Sequence, residues 1–439
     1  MGRRSTRRRN TGKLSPKTAK PSVHQVRGYT LLLLNIPTET VHVSSIVSNG
    51  FISETKKTAG INHLLEHMLA DAWSGCGKQT CSVYWNKKGV RMNASTDLTM
   101  LKYFTYGRKD DTSDMIKYII EITDAPVLTA SSLKREKTAV LNEILAKANN
   151  PEYLLDDVFN KAFYSVEGLK YSSDWILQTK NLKHITLSTL KKAFKENYRS
   201  NNVVFSVTGN FDEKTVLREF NRLLTDAPSS GPISLCRSCF TRNHSIIHVP
   251  NESSKTTKIY IGFPSSVRVQ DKEFLSLSTG LGILRNIAFE VLRAKQRLVY
   301  GVSISSSTDS CGTSILVSVY VDDDNAKRVM VETFKLLRRY VEELVPKKYL
   351  SAMKKKSITG YEDTSATASL VGSLYANQYI KQLGYADPVI RSIKEYNDCI
   401  KSLTRGDVKR ALSRVLTFND CLCAYQGKSK LNVTWSDLL

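Results

Sequence analysis

Acidic residues are missing from the first 28 positions of this 439-residue chain, where nine lysines and arginines stand instead. So charged a stretch with so few apolar side chains cannot repay the entropy of folding, and residues 1–27 are expected to form a disordered basic tail. A nuclear-targeting or nucleic-acid arm, an organelle transit peptide and a solubility tail all fit its Arg-, Ser- and Thr-rich make-up. It lacks the apolar stripe of an amphipathic transit helix. Long apolar runs are missing too. None approaches the ~20 residues needed to span a bilayer, so no membrane span is expected. "TLLLLNIP" (30–37) is short, ends at a proline and reads as a buried strand. No secretory signal stands ahead of it. The eight cysteines then read most simply as free thiols of an intracellular, reducing compartment, with mitochondrial, nuclear and virion-associated sites left open. Cys236 and Cys239 form a lone CxxC without the second pair that a zinc ribbon needs, and read as linker thiols. Cys76 and Cys81 read as loop thiols.

What is present is a globular composition, 41% apolar and 24% charged, in a chain long enough for two domains. The net charge of +23 is unevenly placed: nine positive charges stand in the first 28 residues, and +14 is spread over the rest among plentiful Glu and Asp. Beyond it, "GYTLLLLNI" and "TVHVSSIVSNG" alternate as strands, 58–73 takes up helical spacing, and "VRMNASTDLTMLKYFTYG" returns to period two. The stretch "TDAPSSGPISLCRSCFTRNHS" (225–245), rich in Pro, Gly and Ser, is the linker. It separates 28–224 from 246–439. The two parts echo each other: "LKKAFKENYRSNNVVFSVTGN" (190–210) lines up with "VKRALSRVLTFNDCLCAYQGK" (408–428), 218 residues on. Both read helix, polar break, apolar strand, glycine. The pattern predicts an α+β protein of two similar domains related by duplication. At that offset His63, Glu66 and His67 meet Leu281, Leu284 and Arg285, so the second copy is expected to carry no metal site.

Those three polar residues stand in "NHLLEHMLAD" (62–71). Four residues apart on a helix, His63 and His67 direct their imidazoles at one point, and two histidines supply half of a tetrahedral zinc shell. Glu66 lies at the edge of the same face, placed to take a proton from a water. The plainer alternative is an amphipathic helix whose Leu64, Leu65, Met68 and Leu69 fill a core while His and Glu face solvent.

HxxEH is the inverzincin signature, and its setting resembles the pitrilysin family, especially the branch of mitochondrial processing peptidase and small bacterial peptidases. The resemblance runs from residue 28 to 439. It implies a mixed sheet packed with helices in each domain, and a zinc-dependent endopeptidase acting on extended or unfolded peptides. It implies one Zn²⁺ per chain on His63, His67 and Glu143, the last in "REKTAVLNEI". It gives Glu66 the role of general base and Glu136, two turns before Glu143, that of a support behind the ligands. "KKGVRMNASTDLTMLKYFTYG" resembles the family's substrate-pairing strand, making Asn93 and Ala94 substrate contacts. "LRAKQRLVYGVSIS" resembles a second-half motif whose arginine and tyrosine, here Arg293 and Tyr300, grip the substrate. Family members close two halves around a peptide, so a homodimer is expected, with a heterodimer as runner-up. "DAWSGCGKQTCSVYW" departs from the family's usual small-residue segment. A non-catalytic structural relative, or a polyanion binder using its tail for non-specific nucleic-acid contacts, are the rival readings.

Overall fold

In the computed structural model, residues 15–226, 239–385 and 387–439 are described. Strands β1 (Ser22–Val26), β2 (Tyr29–Asn35), β3 (Thr40–Val47), β4 (Arg91–Thr96), β5 (Leu101–Arg108) and β6 (Val203–Gly209) form a sheet in the order β1-β2-β6-β3-β5-β4. Strands β7 (Ile246–Pro250), β8 (Thr256–Ser265), β9 (Val299–Asp309), β10 (Gly312–Asp322) and β11 (Leu422–Gly427) form another, ordered β7-β11-β8-β10-β9. Without β1 the two orders are the same. In each sheet one pair is parallel, β2 with β6 and β7 with β11, and the others are antiparallel. Equal order with equal strand sense is the duplication that the sequence offset predicts: the helix Leu187–Asn197 before β6 recurs as Arg405–Val415 before β11.

One face of the first sheet is covered by α1 (Ile61–Ala70), with α2 (Cys81–Lys87) at its side and α3 (Thr112–Asp124) behind. Leu64, Leu65, Met68 and Leu69 of α1 are at most 1% exposed, each burial contributing about 1.5–3 kcal/mol. The corresponding face of the second sheet carries the helix Phe274–Ala288. With the π-helical turn Phe289–Lys295 it makes 22 residues long and apolar enough to cross a membrane, correcting the expectation that no such run exists. Leu277, Leu281, Ile283, Leu284 and Ile287 are all buried in the second core, so its hydrophobicity is that of a core helix.

The other faces are covered by exchange. After α4 (Ala130–Ala148), helix α5 (Tyr153–Phe163) leaves the first half and lays Leu155, Phe159 and Phe163 against Tyr260, Leu422 and Ala424 of the second sheet. The helix Ala368–Ile380 returns the arrangement, putting Ala376 and Ile380 on Leu32, Ile46 and Val204 of the first sheet. Glycines permit both close approaches: a Cβ on Gly262 of β8 would collide with Phe159, and one on Gly372 would meet His42 Nδ1 and Thr208 Oγ1 at 2.9 Å. The parts 28–224 and 246–439 are therefore interlocked rather than separable.

Two further expectations are corrected. The basic tail does not extend to residue 27, because Ser22–Val26 pairs with β2 as an edge strand and Ala19 is buried beneath Tyr375, whose hydroxyl donates to its carbonyl at 2.5 Å. The rest of the tail, 1–14, lies outside the described residues, as does Cys236. The cysteines are not all free. Cys76 bonds Cys81, and Cys239 bonds Cys311 across 72 residues, because the fold brings their Cα atoms to 5.2 and 5.4 Å.

Candidate active site

Helix α1 starts without a side-chain cap at Gly60. The buried carboxylate of Glu54 takes that role, accepting from the N–H groups of Gly60 and Asn62 at 2.8 Å each and satisfying donors that a helix start leaves free. Asn62 ties the same turn back to the Gly50 carbonyl at 2.7 Å. The helix that carries the histidines is thus fixed at its first residue. Helix α4, capped by Thr129 and Ser132, lies across it with Val140 and Ile144 buried, which turns Glu136 and Glu143 toward the histidines.

The two helices bring together what the spacing predicts. His63 Nε2 stands 3.4 Å from Glu143 Oε2, and His67 Nε2 stands 3.7 Å from the same oxygen. Donor atoms of His63, His67 and Glu143 all lie within 4.8 Å of one another, and among the described residues no other such group of three or more His, Cys, Asp or Glu occurs. Tetrahedral zinc at ~2.1 Å from each donor separates them by about 3.4 Å. Two imidazole nitrogens and a carboxylate oxygen at this spacing fit zinc. His67 turns its other nitrogen, Nδ1, to Glu136 Oε2 at 3.6 Å, the arrangement that fixes a ligating imidazole's tautomer. Glu136 is held in turn by Arg135 Nε at 2.7 Å, and Arg135 also pairs with Asp71.

Burial and charge tune these groups. Burial, with His67 and Lys147 nearby, pulls His63 down to about 3, keeping its ring neutral and able to donate a lone pair. Burial lowers His67 as well, but the carboxylates of Glu136, Glu66 and Glu143 outweigh it and hold that ring above its ordinary range. Burial raises Glu66 above the usual carboxylate range, against the opposing hydrogen bond from Thr96. That bond, Thr96 Oγ1 to Glu66 Oε2 at 2.7 Å, aims the carboxylate along the cleft wall.

The cleft encloses about 660 Å³. Asn93 and Ala94 line it from β4, which among the described residues pairs only with β5 and leaves its outer edge open. Arg293 and Tyr300 do not line it. Arg293 sits on the π-helical turn and donates to the Val299 carbonyl at 2.7 Å, while the exposed Tyr300 on β9 donates to Asp322 at 2.8 Å. The segment 71–85, which departs from the family pattern and whose cysteines read as loop thiols, is a packed element. Trp73 stacks on Trp85 at 5.3 Å, Cys76–Cys81 closes the turn, and Thr80 and Ser82 reach the cleft. Among the cleft residues that sequence reasoning missed are Thr96, Lys147 and Trp175. Thr96 shares the strand face of Ala94 by period two, and Lys147 follows Glu143 by one helical turn, so both were within reach of spacing arguments. Trp175, which also lines the cleft and lies 4.9 Å under Lys147 Nζ, carries no local signal.

Residues 29–173 match the family model described as Insulinase (Peptidase family M16), and residues 184–357 match that described as Peptidase M16 inactive domain. An uncharacterized zinc protease of Rickettsia felis is 22% identical over 289 residues, 64% of this chain and 69% of that protein. The mitochondrial-processing peptidase subunit beta of Saccharomyces cerevisiae is 23% identical over 215 residues, 47% of this chain and 45% of its own. Among solved structures, a protease from Helicobacter pylori superimposes with a TM-score of 0.83 at 15% identity, covering 93% of this chain and 100% of that one.

Proposed function

Because the chain belongs to peptidase family M16, we propose that it is a zinc-dependent endopeptidase that hydrolyses extended or unfolded peptides. The observation that carries the proposal is the convergence of His63, His67 and Glu143 beside Glu66, in a cleft bordered by an unpaired strand edge. His63, His67 and Glu143 would hold one zinc per chain. Bound there, zinc makes water a nucleophile near neutral pH and polarises a carbonyl.

This chain's own residues do the rest. The substrate backbone adds to β4, where Asn93 and Ala94 contact it, so that main-chain hydrogen bonds fix an extended conformation. Glu66 removes the proton from the attacking water and returns it to the leaving amine, a role suited to a carboxyl raised by burial and steadied by Thr96. Glu136 keeps His67 in the tautomer that presents Nε2. Arg293 and Tyr300 lie outside their own chain's cleft, which supports a homodimer in which they reach the partner's substrate and steady its carbonyl oxygens.

Glu66→Gln keeps the side chain's size and removes its basicity. It is expected to abolish peptide hydrolysis while zinc remains bound; wild-type turnover in this variant would overturn the mechanism. Mixing Glu66→Gln chains with Arg293→Ala/Tyr300→Phe chains tests the shared site. Partial recovery is expected after subunit exchange, and none, with exchange confirmed by mass, would overturn it.

A further inference from the structure

The zinc cleft continues around the sheet edge into a second cavity of about 1030 Å³, the two sharing Ser82, Met92 and Asn93. The strand between them sorts its side chains by face. Thr96 bonds Glu66, Met92 Sδ lies 3.8 Å from the Tyr118 hydroxyl, and Ala94 packs on the first core, so these three turn toward α1. Period two sends Arg91, Asn93 and Ser95 to the opposite face, and of these Arg91 and Asn93 line the second cavity. There the cavity has Phe104 and Tyr106 of β5 along its floor and the first turn of Ala368–Ile380 as its wall.

Charge separates the two cavities. Glu66, Asp71, Glu136 and Glu143 line the first, whereas among the described residues no carboxylate lines the second. Arg91 is exposed there and enters no ion pair among the described residues. Arg108, 67% exposed, stands 4.0 Å from Glu39 and 3.9 Å from Asp110, the outer limit of pairing. Arg91, and Arg108 held only loosely by Glu39 and Asp110, therefore face a cavity open to the edge of β4.

A peptide added to that edge alternates its side chains as β4 does, one toward the zinc ligands and the next toward the second cavity. We infer that the second cavity is a specificity subsite for an acidic side chain of the peptide, with Arg91 and Arg108 taking its carboxylate. This rests on the peptidase reading and narrows its substrates to peptides carrying an acid at a fixed distance from the cut. Glu66 marks the cutting position at Thr96. Arg91 lies five residues back, about 17 Å at ~3.3 Å per residue, which places the acid roughly four to five residues from the scissile bond.

The test uses the full chain with zinc. Cleavage products of a mixed peptide pool are read by mass spectrometry, and matched peptides with Glu, Gln or Lys at the selected position are then compared. A fall in kcat/KM of about tenfold from Glu to Lys is expected, abolished in Arg91→Gln/Arg108→Gln and inverted in Arg91→Glu/Arg108→Glu. Both arginines are solvent-facing, and the thermal midpoint of each variant reports whether the fold survives. Binding of the same peptides to zinc-loaded Glu66→Gln, by fluorescence anisotropy, separates the two claims. Cleavage without charge preference, or a preference unmoved by the arginine changes, would overturn the subsite and leave the peptidase reading intact. Charge-selective binding without cleavage by the wild type would sustain the subsite and overturn the peptidase reading. Neither binding nor cleavage would overturn both.

Discussion

Helix α1 and the helix Phe274–Ala288 occupy the same place in two sheets of the same strand order, yet they present opposite chemistry to the helix packed across them. Where α1 offers His63, Glu66 and His67, its counterpart offers Leu281, Leu284 and Arg285 at the sequence offset of 218. Where α4 answers with Glu136 and Glu143, the helix Lys347–Thr364 has no carboxylate before Glu362 and sets Met353 against Gly282. The scaffold accepts either set, because Leu64, Leu65 and Leu69 on one side and Ile283 and Ile287 on the other supply the apolar burial. Packing holds the helices in place. The polar face is free to be kept or lost, and only the first half has kept it.

Exchanging residues between the copies gives the largest expected effect. Glu66→Leu, which installs the residue of the second copy, should lower peptide hydrolysis by about 10²–10⁴-fold, the range of a lost general base. The fold should survive, since Leu284 is buried at the matching place; steady-state kinetics and circular dichroism read the two outcomes. The reverse exchange, Leu284→Glu, buries a carboxylate with no partner, and chemical denaturation should show a loss of about 3–5 kcal/mol. A loss under 1 kcal/mol would mean that the two helix environments are less alike than their topology.

The exchanged helices come next. Phe159→Ala empties part of the second sheet's outer face, and Tyr375→Ala part of the first sheet's. Each should cost about 3–5 kcal/mol, with both halves unfolding in one transition because each covers the other. Two separate calorimetric transitions would break the interlock. Glu136→Gln should weaken zinc binding by about 10–100-fold without removing a ligand, and chelator competition measures it.

The smallest effect concerns His42, buried with both ring nitrogens unpaired beneath Gly372 of the exchanged helix. Burial, with Lys102 nearby, lowers it from 6.5 to about 3. The folded protein therefore binds this proton less readily than the unfolded chain. Its contribution to stability is complete above pH 6.5 and is lost as the pH falls toward 3. His42→Leu should flatten the fall of the thermal midpoint with pH in that window; an unchanged slope would place the acid sensitivity elsewhere.

Much of this was legible in sequence because it is local or repeated. HLLEH needs only one helix to align its imidazoles, and Glu136 and Glu143 share a helix face two turns apart. A strand–helix pattern recurring after 218 residues announces two copies. What escaped depends on contacts between distant segments. Nothing in the amphipathic pattern of α5 says whose sheet it covers. Strand β1 hides in the basic tail because, as an edge strand, only its last residue, Val26, is fully buried. Cys239 stands in a CxxC yet pairs with Cys311, brought near by folding alone. The brace from Asp71 through Arg135 to Glu136 joins residues 64 positions apart and has no signature in spacing.

Among the described residues the one candidate metal-ligand group lies in the first copy. The most direct test is the zinc content of the purified full chain and of His63→Ala/His67→Ala, by elemental mass spectrometry after equilibration with zinc and desalting. About one zinc per wild-type chain, carried by three ligands of the catalytic type, is expected, and essentially none in the double variant. Stoichiometric zinc persisting in the double variant would contradict this assignment.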